Sequence, residues 1–146
     1  ILEHYDYILL DCPPALGMLT LNALTTADSV IVPLQCEFFA LEGIQQLMQT
    51  ITTVKQKWNP NLDVLGVLLT MYDKRYGLTH AVDEDVRKTF GDIVFKTVVP
   101  RNVRVSEAPS HGKPALFYDF KSPGAHAYLR VATEVVQRTE GGINVA

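Results

Sequence analysis

Few of this chain's reactive side chains stand in a pattern that could do chemistry. Cys12 and Cys36 are the only cysteines, and they form neither a C-x-x-C pair nor a disulfide framework. His4, His80, His111 and His126 are scattered without metal-ligand spacing, so no structural zinc site is expected. The two cysteines fit a reducing, cytoplasmic setting. What does stand out is Asp11. It ends the apolar run "YDYILLD" and is followed by Cys12, Pro13, Pro14 and then Gly17.

A carboxylate at the tip of a buried strand has three readings. It can simply cap the following helix or form a turn. It can accept a phosphoryl group, as in response-regulator receiver domains, for which Thr70, Lys113 and Pro114 would be the accessory residues. The spacing opposes that reading, because too many strand–helix units separate Asp11 from Lys113 and no acidic pair precedes the strand. Third, it can be a Walker B aspartate, which helps hold Mg²⁺ beside nucleotide phosphates. Contact through water suits a metal that dehydrates reluctantly. The prolines would stiffen the next segment, and Gly17 would give it room. An aspartate after a strand does not by itself select among these.

The elements that must position Asp11 alternate along the chain. Residues 7–12 form a short continuous apolar run, the mark of a strand buried on both faces. Residues 16–27 read as a helix and 29–34, "SVIVPL", as a second buried strand. Between 39 and 58, Leu41, Ile44, Leu47, Ile51, Val54 and Trp58 make one stripe on a long helix, ended by Asn59, Pro60 and Asn61. A third strand is expected over 64–72. A helix follows over 78–90, with Leu78, Val82, Val86 and Phe90 on one face. A fourth strand is expected over 93–100, then a loop over 101–114 and a short strand over 115–118. Ser122 and Pro123 have the N-cap and first-turn chemistry of a last helix running to about 138.

This order predicts an α/β fold, a mostly parallel sheet with helices on both faces. Ligands in such folds bind beyond the carboxyl ends of the strands. The segments to read are therefore 11–14, 33–37, 70–76 and 100–104. Glu37 and Glu42 lie near a helix start, where acidic residues favour the dipole, and carry no catalytic role.

The bulk numbers set limits. The 146 residues, 47% hydrophobic and 20% charged, suit one globular domain. A net charge of −3 gives no global basic field, so any nucleic-acid partner would need a local patch. No apolar run is long enough to cross a bilayer. The chain opens on "ILEHYDYILLD", in the approach to a strand and without methionine. It is read as the C-terminal portion of a longer single-domain protein, over 1–138, with a flexible tail over 139–146.

The segment "YDYILLDCPPALGMLTLNAL" closely resembles the Walker B and switch region of the ParA/Soj family of chromosome- and plasmid-partitioning ATPases. The match continues through "ADSVIVPLQCEFFALEGIQQL", "GVLLTMYDKR" and "VVPRNVRVSEAPSHGKPALFYDFKSPGAHAYLRVATEVV", and so covers residues 5 to about 138. The resemblance implies a deviant-Walker P-loop ATPase fold. In that family two ATP molecules are sandwiched in a dimer, the dimer binds DNA non-specifically, and a ParB-type partner stimulates hydrolysis, so the same is expected of the intact protein here.

By that resemblance Asp11 is the Walker B residue with indirect Mg²⁺ contact, and Cys12, Pro13, Pro14 and Gly17 belong to the switch segment. Met71, Pro100 and Asn102 are candidates for the adenine side, where Asn102 can both donate and accept. Arg75 and Arg104 match the family's DNA-binding surface, with Lys74 and Lys113 extending the patch. Phosphate neutralisation by such residues gives sequence-independent, salt-sensitive binding.

One departure is an absence. These residues contain no G-x-x-x-x-G-K-[ST] loop. In the family that loop, its signature lysine and the water-activating aspartate precede the Walker B strand, so they are expected upstream of Ile1. The intact protein is expected to hydrolyse ATP and this portion alone is not. The competing expectation is a non-hydrolysing module that binds DNA or a partner. A MinD-like membrane ATPase would call for a basic amphipathic C-terminal anchor, which "GGINVA" is not.

Overall fold

The computed structural model describes residues 2–13 and 16–140. Pro14 of the expected switch segment and residues 141–146 of the expected tail lie outside them. The chain divides into two compact units, Ile1–Val30 with Gln45–Asp63, and Ile31–Ile44 with Val64–Ala146.

In the first unit, helix α1 (Met18–Thr26) leads to the start of strand β1 (Ser29–Gln35), and most of helix α2 (Ala40–Lys57) follows. The Asn59 side-chain amide donates to the Leu24 and Ala27 carbonyls at 3.0 and 2.8 Å. It thereby satisfies acceptors that the end of α1 leaves open. Pro60 cannot continue a helix, and α2 stops before it. Of the predicted stripe on α2, Ile44, Ile51 and Val54 are buried, whereas Trp58 lies past the helix end and is exposed.

The expected strand over 7–12 is not formed. Residues 7–13 have no regular secondary structure, and Leu9 is 84% exposed. The physical reason is pairing. A strand needs a neighbour for its N–H and C=O groups and cover for its apolar faces, and this segment gains neither among the described residues.

The second unit holds a two-stranded parallel sheet of β1 with β2 (Asp63–Thr70). In β2, Gly66 through Leu69 are all buried, as a continuous apolar run predicts. β1 is less regular than its sequence suggests. Val32 and Leu34 are buried while Pro33 and Gln35 are exposed, a placement that suits a proline without a ladder donor. Helix α3 (Gly77–Phe90) buries Thr79, Val82 and Val86, leaving Leu78 outside the expected face.

Residues 94–100 run beside β2 as a broken strand. Parallel bridges join Val67 to Val94 and Tyr72 to Pro100. Between them the N–H groups of Lys96 and Thr97 turn away and donate to the Glu134 carboxylate at 2.8 and 3.0 Å. A side chain from helix α6 (Pro123–Glu140) thus interrupts the predicted fourth strand. Arg138, one turn on from Glu134, donates to the carbonyls of Leu65, Ile93 and Val94, each at 3.0 Å. Its guanidinium lies 4.2 Å from the Phe95 ring centroid. Leu68, Phe95, Val99, Ala127 and Val131 form the core beneath.

The expected loop over 101–114 contains a short helix, α4 (Val103–Glu107), and a 3-10 turn, Ala108–His111. Residues 115–118 are a helical turn, α5 (Ala115–Tyr118), and not a strand. Four residues with no partner strand close local hydrogen bonds more readily than a ladder. Ser122 caps α6 as expected, with its hydroxyl accepting from the Ala125 N–H at 3.2 Å.

Candidate functional site

At the carboxyl end of β2 the chain turns sharply. Met71 has φ 51°, the only non-glycine residue with positive φ among the described residues. Such strain in a side chain with a Cβ is concentrated at binding sites. Met71 lines a small cleft of about 160 Å³ together with Cys36, Glu37, Asp73, Tyr76 and Arg101. Burial raises the Cys36 thiol to about 11, helped by the negative charge of Asp83, so this cysteine is a protonated wall and not a nucleophile.

A second, larger groove of about 670 Å³ opens beside it. Lys74, Arg75, Arg101 and Arg130 line it, with His126 and Pro100. Among the described residues that line it, Asp73 is the one carboxylate. Asp73 and Arg101 line both spaces. Arg75 is 80% exposed at its side chain and forks onto the Asp73 carboxylate, Nη2 to Oδ2 at 2.6 Å. Its guanidinium also lies 5.8 Å from the Tyr76 ring centroid.

The predicted residues separate into groups. Met71 lines the small cleft, whereas Lys74, Arg75 and Pro100 line the groove. Asn102 lines neither. Its Oδ1 caps α4 by accepting from the Val105 N–H at 3.3 Å, which leaves the side-chain NH₂ as its free polar function among the described residues. Arg104 pairs with Glu107 at 3.0 Å and Asp119 at 3.5 Å, so two carboxylates screen its charge. Lys113 is exposed beyond the left-handed Gly112 and forms no ion pair among the described residues.

Asp11, Cys12, Pro13 and Gly17 belong to the other unit. Asp11 is exposed, and no hydrogen bond or ion pair engages its carboxylate among the described residues. Cys12 Sγ faces the Leu10 carbonyl at 3.6 Å, and the Pro13 carbonyl accepts from the Thr20 hydroxyl at 3.5 Å. Gly17, not Asp11, is the N-cap of α1, which removes the plain capping reading of Asp11. Its φ of −94° is open to any residue.

Sequence reasoning missed Arg101, His126 and Arg130. Arg101 follows Pro100 directly and was within reach of a motif reading. His126 and Arg130 reach the groove only because α6 folds back along residues 94–100. Among the described residues no group of three metal-ligating side chains forms. A single carboxylate acting with nucleotide phosphates is nevertheless an ordinary way to hold Mg²⁺.

The family model described as an AAA domain matches residues 1–64. The chromosome partitioning protein ParA of Caulobacter vibrioides is 60% identical over 134 residues, 92% of this chain and 50% of that protein. The sporulation initiation inhibitor protein Soj of Bacillus subtilis is 57% identical over 133 residues, 91% of this chain and 53% of Soj. The chain thus spans about half the length of the curated relatives it matches. Among solved structures, cobyrinic acid a,c-diamide synthase from Mycobacterium smegmatis, with bound ADP and magnesium, is 39% identical with a TM-score of 0.71. It covers 90% of this chain and 46% of that one. The septum site-determining protein MinD from Pyrococcus horikoshii, complexed with Mg-ADP, is 25% identical with a TM-score of 0.74, covering 97% of this chain and 55% of that one. The fold is therefore the α/β fold of P-loop NTPases. With these identities over more than nine-tenths of its length, the chain is similar to the ParA and Soj chromosome partitioning proteins across the half of them that it spans.

Proposed function

We propose that the protein acts as a ParA/Soj-type partitioning ATPase, binding ATP with Mg²⁺, dimerising, and holding DNA without sequence preference while a ParB-type partner controls hydrolysis. The observation that carries this reading is the 60% identity to a chromosome partitioning protein over 92% of the chain. The structure's chemistry agrees with it. Asp11 presents a carboxylate with no competing partner among the described residues, fit to hold a hydrated Mg²⁺ that would offset phosphate charge. Met71 and Pro100 offer apolar surface to an adenine ring, and the free NH₂ of Asn102 offers two N–H donors. Arg75 and Arg104 make the DNA contact, extended by Lys74, which lines the groove with Arg75, and by Lys113. These 146 residues carry no glycine-rich phosphate loop, so hydrolysis is not expected from them alone. No helix among the described residues is long and apolar enough to cross a membrane.

The test is ATP-dependent binding of the native full-length protein to a duplex of arbitrary sequence, followed across a salt titration. The expected result is binding that needs ATP and Mg²⁺ and is lost in Asp11→Ala. In Arg75→Ala binding should weaken, and the log–log salt slope should fall by about 0.9 for each phosphate that is no longer neutralised. Binding indifferent to ATP and to both substitutions would overturn the proposal.

A further inference from the structure

Lys74 and Arg75 sit on a loop that the sheet does not hold. Asp73 organises the turn internally. Its Oδ1 accepts the Arg75 N–H at 3.1 Å, and its carbonyl accepts the Tyr76 N–H at 3.2 Å. Two ties run from α3 to this loop: the Thr79 N–H donates to the Tyr76 carbonyl at 3.1 Å, and the side chain of His80, in the first turn of α3, has Nε2 3.0 Å from the Lys74 carbonyl oxygen. A carbonyl only accepts, so Nε2 carries the hydrogen and donates.

The other face of the ring is held as well. His80 Nδ1 lies 3.5 Å from the Tyr72 hydroxyl, and the two rings meet edge to face with centroids 6.1 Å apart. Tyr72 does not move freely. It is buried, its hydroxyl donates to Asp83 Oδ2 at 2.9 Å, and its backbone pairs with Val99 and Arg101. Asp83 Oδ1 in turn accepts from Arg87 Nε at 2.6 Å, and Arg87 Nη1 donates to the Phe95 carbonyl at 3.2 Å. A continuous chain of side chains therefore runs from the backbone of residues 94–100 through Arg87, Asp83, Tyr72 and His80 to the carbonyl between the two cations.

We propose that His80 is a positioning residue for the DNA contact: it fixes the Lys74–Arg75 loop in its binding conformation before phosphate arrives. This rests on the reading that Lys74 and Arg75 contact DNA. A loop free to fluctuate must lose its backbone entropy when it binds, and a loop already held does not. His80 itself need touch no phosphate. Its contribution is the single donated hydrogen bond and the packing against Tyr72.

The experiment uses the native full-length protein with ATP, Mg²⁺ and a duplex of arbitrary sequence. Variants are His80→Ala, His80→Gln, Lys74→Ala/Arg75→Ala, and the triple substitution. His80→Ala is expected to weaken binding about 3- to 10-fold, the scale of one hydrogen bond, and to speed amide exchange at residues 74–76. The circular dichroism spectrum should not change. His80→Gln, whose amide can still donate to the Lys74 carbonyl, should recover most of the affinity. In the Lys74→Ala/Arg75→Ala background, His80→Ala should have no further effect, because the positioned groups are gone. Unchanged affinity in His80→Ala, with Lys74→Ala/Arg75→Ala impaired, overturns the inference and leaves the DNA reading standing. A His80→Ala loss that persists undiminished in the double background also overturns it. Normal binding by Lys74→Ala/Arg75→Ala removes both.

Discussion

Arg75 reaches back two residues and takes the Asp73 carboxylate in a fork, with Nε 2.9 Å from Oδ1 and Nη2 2.6 Å from Oδ2. The pair consumes two of the five guanidinium donors and leaves three for a phosphate. It also places a negative charge inside the groove that Lys74, Arg75, Arg101 and Arg130 line. The hydrogen bonds from Arg75 hold the Asp73 carboxyl down at about 2. A depressed carboxylate keeps its contribution at all pH values above its unfolded pKa and loses it only as pH falls through the folded value. The fork therefore stays closed throughout the neutral range.

Asp73→Asn is expected to strengthen non-specific DNA binding roughly threefold at low salt, since one charge opposing the phosphates is removed. The wild-type protein should show no step in affinity between pH 5 and 9 that disappears in Asp73→Asn. Fluorescence anisotropy against salt and pH reads both. Weaker binding in Asp73→Asn would mean that the fork aims Arg75 more than it screens it.

The two roles open to Asn102 can be separated. Asp at this position keeps an oxygen to cap α4 but loses the amide donor, whereas Ala loses both. Asn102→Ala should cost about 1 kcal/mol of stability, and Asn102→Asp should cost little. If the amide serves adenine, both variants bind ATP more weakly in the full-length protein. ATP affinity unchanged in Asn102→Asp would reduce the residue to a cap.

Glu134 and Arg138 hold the broken strand onto α6, and both side chains are largely shielded, at 13% and 19% exposure. Arg138→Ala leaves the Leu65, Ile93 and Val94 carbonyls without their donor and is expected to cost about 3 kcal/mol in urea unfolding. Arg138→Lys should recover only part, because an ammonium cannot fork among several acceptors.

Burial pushes the Glu134 carboxyl upward, but the Lys96 and Thr97 amides and Arg138 outweigh it and hold it below its ordinary value of 4.5. Its contribution is therefore complete above that value and is lost as pH falls through the lower folded one. Stability should drop on acidification below about pH 4.5, and Glu134→Gln should flatten that drop. An acid limb identical in the two proteins would place the sensitivity elsewhere.

Gly66 lies where β2 meets the Phe95 ring, the Ile93 carbonyl and the Arg138 guanidinium, all within the space a Cβ would need. Gly66→Ala is expected to destabilise by about 3 kcal/mol, as overpacked cores do. Gly43 has open space around it, so Gly43→Ala is the matched control and should be neutral or slightly stabilising. Equal thermal midpoints for the two variants would contradict the packing described.

Several elements were legible from the order of residues because their cause is local. Asn59 and Pro60 end α2 wherever it packs, Ser122 and Pro123 start α6, and the apolar run of β2 is long enough to be buried on both faces. The failures share another cause. Residues 7–12 have the composition of a buried strand, but a strand exists only with a neighbour. The predicted fourth strand is interrupted because Glu134, about 38 residues downstream, supplies a better acceptor to two of its amides. Residues 115–118 are equally apolar as strand or as helical turn, and only their surroundings choose.

The same division holds for the site. The apolar run before it draws attention to Asp11, but only the resemblance to the ParA/Soj family gives it a role and brings Arg75 and Arg104 forward, because a family's chemistry is written in short contiguous stretches. Whether those charges are available is a tertiary matter. Arg104 is paired twice, Arg75 is forked onto Asp73, and Asn102 is committed through one atom and free through another. The groove's other cations, and the side-chain chain through Tyr72 and His80 that ties down its loop, are assembled from residues far apart in sequence. Electrostatics and hydrogen bonding act over ångströms of space, and residue order carries that information only after the chain has folded.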